Sequence, residues 1–127
     1  MILAGGGTAG HIEPALAVAD AISKIDSQME CEFVGTEHGL EKALIPMRGY
    51  KLHLIPKVTL PRHLTLRNVA FPLQLWRTQR AALKVVKGAS LVIGFGGYVS
   101  APVYLAAKRL GVPIVIHEAN ARPGFAN

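Results

Sequence analysis

The chain has 127 residues, half of them hydrophobic, with 14 Lys and Arg against 8 Asp and Glu and a net charge of +6. That length and apolar content suit one compact domain with its own core and exclude an intrinsically disordered chain. A single cysteine, Cys31, excludes an intramolecular disulfide, and no stretch at the start has the make-up of a secretory leader, so a reducing, cytoplasmic setting is expected.

A short apolar run at 1–4 reads as a strand, and residues 12–25 follow as an amphipathic helix. Between them stands GGGTAGH, with Gly5, Gly6, Gly7 and Gly10 close together and His11 at the point where the helix is expected to begin. The alternation then repeats: strands at 30–34 and 51–55 flank a helix at 39–47, and helices at 69–87 and 101–110 enclose or precede strands at 91–94 and 113–117. The linker 56–68, with Pro56, Pro61 and several basic residues, is longer than a crossover needs and reads as a mobile or surface-binding loop. Residues 88–107, GASLVIGFGGYVSAPVYLAA, carry no charge over a length nominally sufficient to cross a bilayer. Gly94, Gly96, Gly97 and Pro102 break any continuous helix there, so the stretch is not read as a membrane span.

Strands alternating with helices predict an α/β fold, a Rossmann-like doubly wound parallel sheet of order 3-2-1-4-5. Its winding reverses between the first and fourth strands, and ligands of such sheets sit in that crevice. Both glycine-rich turns, GGGTAGH and GFGGYVSAP, follow those two strands, so the topology predicts that they meet at the carboxyl edge. Glycine lets backbone amides approach a ligand, and each following helix adds unpaired N–H groups and a positive dipole end, which suits a pyrophosphate. The plainer reading is that the glycines only permit tight strand-to-helix packing. Gly5, Gly7 and Gly10 match a dinucleotide fingerprint in letters, but no acid closes the second strand at the usual distance, Glu37 lying later, so a nicotinamide cofactor is a weak competitor.

No acidic residue lies between Glu41 and Glu118, a region rich in Lys and Arg, so one part of the surface is strongly cationic. Such a field attracts nucleic acid, anionic lipid or phosphorylated substrates. On the helix at 72–87, Arg77, Arg80, Lys84 and Lys87 form one stripe, Leu75, Ala82, Leu83 and Val86 are expected to face the core, and Trp76 lies at the border. Preceded by Leu64, Leu66, Val69 and Phe71, this basic face suits docking on an anionic bilayer surface; the alternative is an ordinary solvated charged face. No nucleic-acid motif and no cluster with metal-ligand spacing accompanies it, so neither partner is expected.

Three segments, GGGTAGHIEPALAVA, GFGGYVSAPVYLAA and HEANARPGFAN, resemble the N-terminal domain of the MurG family of bacterial glycosyltransferases. The resemblance runs from the first strand to the last residue. It implies the N-terminal, acceptor-binding half of a two-domain GT-B-type enzyme, residues 1–127, with a C-terminal donor domain absent from this sequence. It further implies an inverting transfer of N-acetylglucosamine from UDP-GlcNAc to the C4 hydroxyl of a lipid-linked N-acetylmuramyl-pentapeptide in peptidoglycan synthesis. The implied partners are those two substrates, an anionic membrane surface and the donor domain; the implied location is the cytoplasmic face of the cell membrane, and no cofactor or metal is implied.

Carried over by motif, Thr8, Ala9 and Gly10 correspond to positions that touch the UDP-sugar, and Asn120 to the asparagine that contacts its GlcNAc. Ala9 stands where many relatives have glycine, and Ala119 where many have glutamine. Transfer to a hydroxyl needs a base beside it, and His11 is the candidate, since imidazole exchanges protons near neutral pH; otherwise it bonds a backbone group at the helix start. Glu118 is read as orienting a sugar hydroxyl or His117, or else as holding its own turn through backbone amides. Gly96, Gly97 and Tyr98 are candidates for the acceptor's phosphate or sugar, whereas Ser100 fits a helix cap. Membrane contact would fall to Phe71, Trp76, Arg77, Arg80 and Lys84. Two functions follow: the acceptor half of a transferase, expected to be inactive alone, or a non-catalytic membrane- and acceptor-binding module that recruits a separate donor-binding chain.

Overall fold

The computed structural model describes residues 1–58 and 71–118. Nine elements alternate along them: β1 (Ile2–Ala4), α1 (Ala9–Ile25), β2 (Glu32–Gly35), α2 (Glu41–Met47), β3 (Lys51–Leu54), α3 (Phe71–Val86), β4 (Val92–Gly94), α4 (Ser100–Leu110) and β5 (Ile114–Ile116). All strand pairs are parallel and the order is β3-β2-β1-β4-β5, the doubly wound, Rossmann-like arrangement read from the sequence.

Period-two alternation divides the strands between two cores. Ile2, Ala4, Val34 and Val92 face α3 and α4, meeting Ala82, Val86, Val103, Ala106 and Ala107. Leu3, Phe33 and Ile93 face the other way, against Ile12, Ala15, Leu16 and Ala19 of α1 and Ile45 of α2. The α1 set recurs at intervals of three and four, the spacing of one helix face. Each fully buried Leu, Ile or Phe contributes about 1.5–3 kcal/mol over its exposed state, so the two layers hold the central strands rigidly under whatever lies at their carboxyl ends.

Several boundaries differ from the sequence reading. Helix α1 starts at Ala9, three residues earlier than expected, because Thr8 is extended (φ −136°, ψ 154°) and its carbonyl accepts the amides of His11 and Ile12. Glycine's helical penalty marks Gly10 as lying outside the helix, yet a first-turn amide needs no intrahelical acceptor and glycine is tolerated there. Helix α4 starts at Ser100 with Val99 as its cap residue, so Ser100 is not a cap: buried, it bonds the carbonyls of Ala4 at 3.1 Å and Gly96 at 2.9 Å. Leu75 does not face the core; it is 42% exposed, and the buried stripe of α3 begins at Thr78, whose hydroxyl is taken by the carbonyls of Pro56 and Gln74. The uncharged stretch 88–107 is divided among β4, a glycine loop and α4. Among the described residues no helix is long and apolar enough to cross a membrane.

Candidate functional site

The two glycine-rich turns meet. A Cβ placed on Gly97 would stand 2.5 Å from the carbonyl oxygen of Gly6, and one on Gly5 would stand 3.0 Å from Cβ of Phe95 and 3.1 Å from the carbonyl oxygen of His11. Gly97 also has φ +86°, so a side chain there would be both strained and obstructed. The end of β1, the end of β4 and the first turn of α1 are thus packed backbone to backbone at the carboxyl edge. The Phe95 amide donates to the Ala4 carbonyl at 2.7 Å, and Ser100 pins the start of α4 to the same carbonyl.

The first glycine loop is held from outside by a residue that the sequence reading did not single out. Glu41, the first residue of α2, has no exposed surface. Its carboxylate accepts the Gly7 amide at 3.0 Å, the Thr36 amide at 2.9 Å and the Thr36 hydroxyl at 3.0 Å. Three glycines make room for it: a Cβ on Gly6 would lie 2.7 Å from Oε1, and Cβ atoms on Gly35 and Gly39 would overlap the side chain outright. Burial pushes the Glu41 pKa up, but the amides of Gly7, Thr36 and Glu41 itself, with the Thr36 hydroxyl, outweigh it and hold the group below the ordinary carboxylate value. The only sequence signal was a pair of glycines, Gly35 and Gly39, bracketing the turn that leads to this acid.

Several of the sequence-derived candidates lie on these loops or just beyond the strands that carry them. Thr8, Ala9 and Gly10 are exposed, and His11 is half-buried in the third position of α1. Among the described residues no hydrogen bond engages the His11 ring, so the backbone-bonding alternative has no such partner there. Gly96 is buried and Gly97 half-buried; Tyr98 is 66% exposed, with the Lys57 ammonium 5.2 Å from its ring centroid. Glu118 lies two residues past β5, half-buried. The Tyr104 phenol, packed over Gly94, has its pKa raised by burial and by the charge of Glu118, against a lowering by its bond with Ser100. His117 stacks on Phe95 with centroids 5.2 Å apart, and its amide donates to Gly94 at 2.8 Å. Asn120 and Ala119 lie outside the described residues, as do Leu64, Leu66 and Val69. The two glycine loops and the N-termini of α1 and α4 therefore lie together at one edge of the sheet, with the His11 imidazole and the Tyr98 phenol on the same segments, and helix N-termini favour an anionic group.

A second surface lies on α3. Leu73, Trp76, Arg80 and Lys84 follow one another at spacings of three and four, with Arg77 beside Trp76; all five are exposed, while Phe71 at the helix start is half-buried. The Arg80 guanidinium stands 5.2 Å from the Trp76 ring centroid. Among the described residues no group of three His, Cys, Asp or Glu is placed to hold a metal ion.

Residues 1–127 match the glycosyltransferase family 28 N-terminal domain. The UDP-N-acetylglucosamine--N-acetylmuramyl-(pentapeptide) pyrophosphoryl-undecaprenol N-acetylglucosamine transferase of Streptomyces collinus is 59% identical over 100% of this chain and 36% of its own length. The enzyme of the same name from Mycobacterium leprae is 53% identical over 100% of this chain and 33% of its own. The chain thus spans about a third of the length of these curated relatives. Among solved structures, Acinetobacter baumannii MurG superposes with a TM-score of 0.84 at 33% identity, covering 99% of this chain and 37% of that one. A Siraitia grosvenorii transferase crystallised with UDP shares the fold alone, at TM-score 0.57 and 20% identity over 91% of this chain and 26% of that one.

Proposed function

The chain belongs to the glycosyltransferase family 28 N-terminal domain family, and from that we propose that it is the acceptor-binding part of a transferase that moves N-acetylglucosamine from UDP-GlcNAc to a lipid-linked N-acetylmuramyl-pentapeptide in peptidoglycan synthesis. The observation that carries the proposal is the contact between the glycine loops at Gly6 and Gly97, which brings the two loops and the helix starts behind them to one edge of the sheet. The names of the Streptomyces and Mycobacterium enzymes supply the substrates.

In this reading the muramyl C4 hydroxyl attacks the anomeric carbon of GlcNAc with inversion. The new bond joins the C4 oxygen to that carbon, the bond to the UDP oxygen breaks, and UDP leaves with the electron pair. His11 takes the hydroxyl proton, a role favoured by its place in the first turn of α1 beside the loop and by a ring without a hydrogen-bond partner among the described residues. Gly96, Gly97 and the start of α4 receive the acceptor's pyrophosphate, with Tyr98 and Glu118 directing sugar hydroxyls. Thr8, Ala9, Gly10 and Asn120 touch the donor, most of which is held by a second domain across the cleft. The polyprenyl chain stays in the bilayer at the cytoplasmic face, where Phe71, Trp76, Arg77, Arg80 and Lys84 rest on anionic headgroups.

The test is transfer of labelled GlcNAc to a lipid-linked muramyl-pentapeptide, by this chain alone and with the donor domain of the Streptomyces collinus relative supplied. No turnover is expected alone, and turnover is expected with the supplied domain. Transfer absent from both would refute the proposal, and robust transfer by the chain alone would remove the need for a second domain. His11→Ala is expected to lower kcat about 10²-fold or more with donor KM nearly unchanged, the size of a lost general base; an unaltered kcat would return His11 to a structural role.

A further inference from the structure

We infer that the cleft between the turn after β2 and the segment after β3 is the subsite for the peptide arm of the acceptor, Lys57 and His38 taking its carboxylate and Glu37 its N–H groups. This rests on the reading above, which supplies an acceptor with a peptide.

The cleft encloses about 360 Å³ and is lined by Glu37, His38, Ile55, Pro56, Lys57 and Gln74. Small-molecule sites begin at about 300 Å³. Its walls leave the carboxyl ends of β2 and β3, the same edge of the sheet that carries the glycine loops. It is a held shape. Ile55 is buried with its amide on the Gly35 carbonyl at 3.0 Å. Two side chains of α3 fix the next residues: Thr78 donates to the Pro56 carbonyl at 2.9 Å and the Gln74 amide to the Lys57 carbonyl at 2.8 Å.

Single residues join this cleft to both glycine loops. Lys57 reaches from its lining to the ring of Tyr98 in the second loop. On the other wall, Thr36, next to Glu37, shares the Glu41 carboxylate with Gly7 of the first. A molecule seated over the loops therefore has this cleft as its neighbour on the β3 side.

The lining selects the occupant by charge. A phosphate would meet the Glu37 carboxylate, and a polyprenyl chain would desolvate Glu37, His38 and Lys57 together; both are unfavourable. A peptide offers a carboxylate for the Lys57 ammonium and a ring N–H of His38, and amide or amino N–H groups for the acid, over an apolar floor of Ile55 and Pro56.

The experiment titrates three soluble probes into the ¹⁵N-labelled chain: N-acetylmuramyl-pentapeptide, N-acetylmuramyl methylamide and inorganic phosphate. The amide signals of Glu37, His38, Lys57 and Gln74 are expected to shift with the pentapeptide and to stay in place with the other two. Lys57→Ala, at an exposed position, is expected to keep the folded spectrum and weaken pentapeptide binding about tenfold, the loss of one charge-assisted hydrogen bond. Unmoved signals, equal shifts with the methylamide or phosphate, or an unaltered affinity in Lys57→Ala would each overturn the inference. Because the titration needs no donor and no turnover, it fails separately from the transfer assay.

Discussion

Glu41 organises more of this molecule than its single position suggests. A carboxylate without solvent contact must find its partners within the fold, and here they are the backbone of two loops from different strands. Glu41→Gln keeps the shape but exchanges a charged acceptor for a neutral amide, and is expected to cost about 1–3 kcal/mol, or roughly 3–15 °C in Tm by circular dichroism. The pH dependence follows from the depressed pKa. A group held below its unfolded value of 4.5 adds stability above that pH and loses it as the pH falls through the lower folded value. The stability gap between wild type and Glu41→Gln is therefore expected to be constant near neutrality and to close below about pH 4.5, measured by urea unfolding across that range. Glu32, kept low by Lys51 and then His53, titrates in the same window but is present in both proteins and cancels. Beyond the glycines Gly35 and Gly39 that bracket its turn, this role was not legible in the sequence, because Gly7 and Glu41 are 34 positions apart and only the fold brings them together. The place of His11 where the loop passes into α1 was legible, because the glycine run before it marks the turn.

At the scale of elements, the sequence read well where a pattern was local and repeated. The strands, their order and the opposed glycine turns followed from apolar runs of fixed spacing and from the rules of right-handed crossovers. Helix starts read poorly. Glycine and serine carry strong local expectations at a helix start; the first turn tolerated Gly10, and a tertiary partner, the Ala4 carbonyl, drew Ser100 into the helix. On α3 the basic stripe was correct, but Leu75 shows that a helical wheel cannot tell where the sheet beneath it stops. The same helix gives a direct test of membrane docking. Each Lys or Arg near an anionic leaflet contributes about 1 kcal/mol, so reversing Arg77, Arg80 and Lys84 to Glu is expected to lower partitioning onto phosphatidylserine vesicles by about two orders of magnitude. The wild-type affinity is expected to fall steeply with salt in co-sedimentation; binding indifferent to both salt and reversal would leave a merely solvated face.

Across the whole molecule, stability is concentrated in β1, β4 and the two apolar layers, and thins toward β5. Val115 and Ile116 are half-exposed on an edge strand, one on each face of the sheet. Such an edge invites pairing with another chain, so the chain by itself is expected to self-associate with rising concentration in sedimentation velocity, and Val115→Lys to suppress this without altering its fold. The carboxylate beneath the first glycine loop has one more consequence, in the time domain. Residues in turns ordinarily trade their amide hydrogens with solvent quickly, yet those of Gly7 and Thr36 can be released only when Glu41 is unseated. Deuterium should enter these two positions late and together, on the schedule of the central strands.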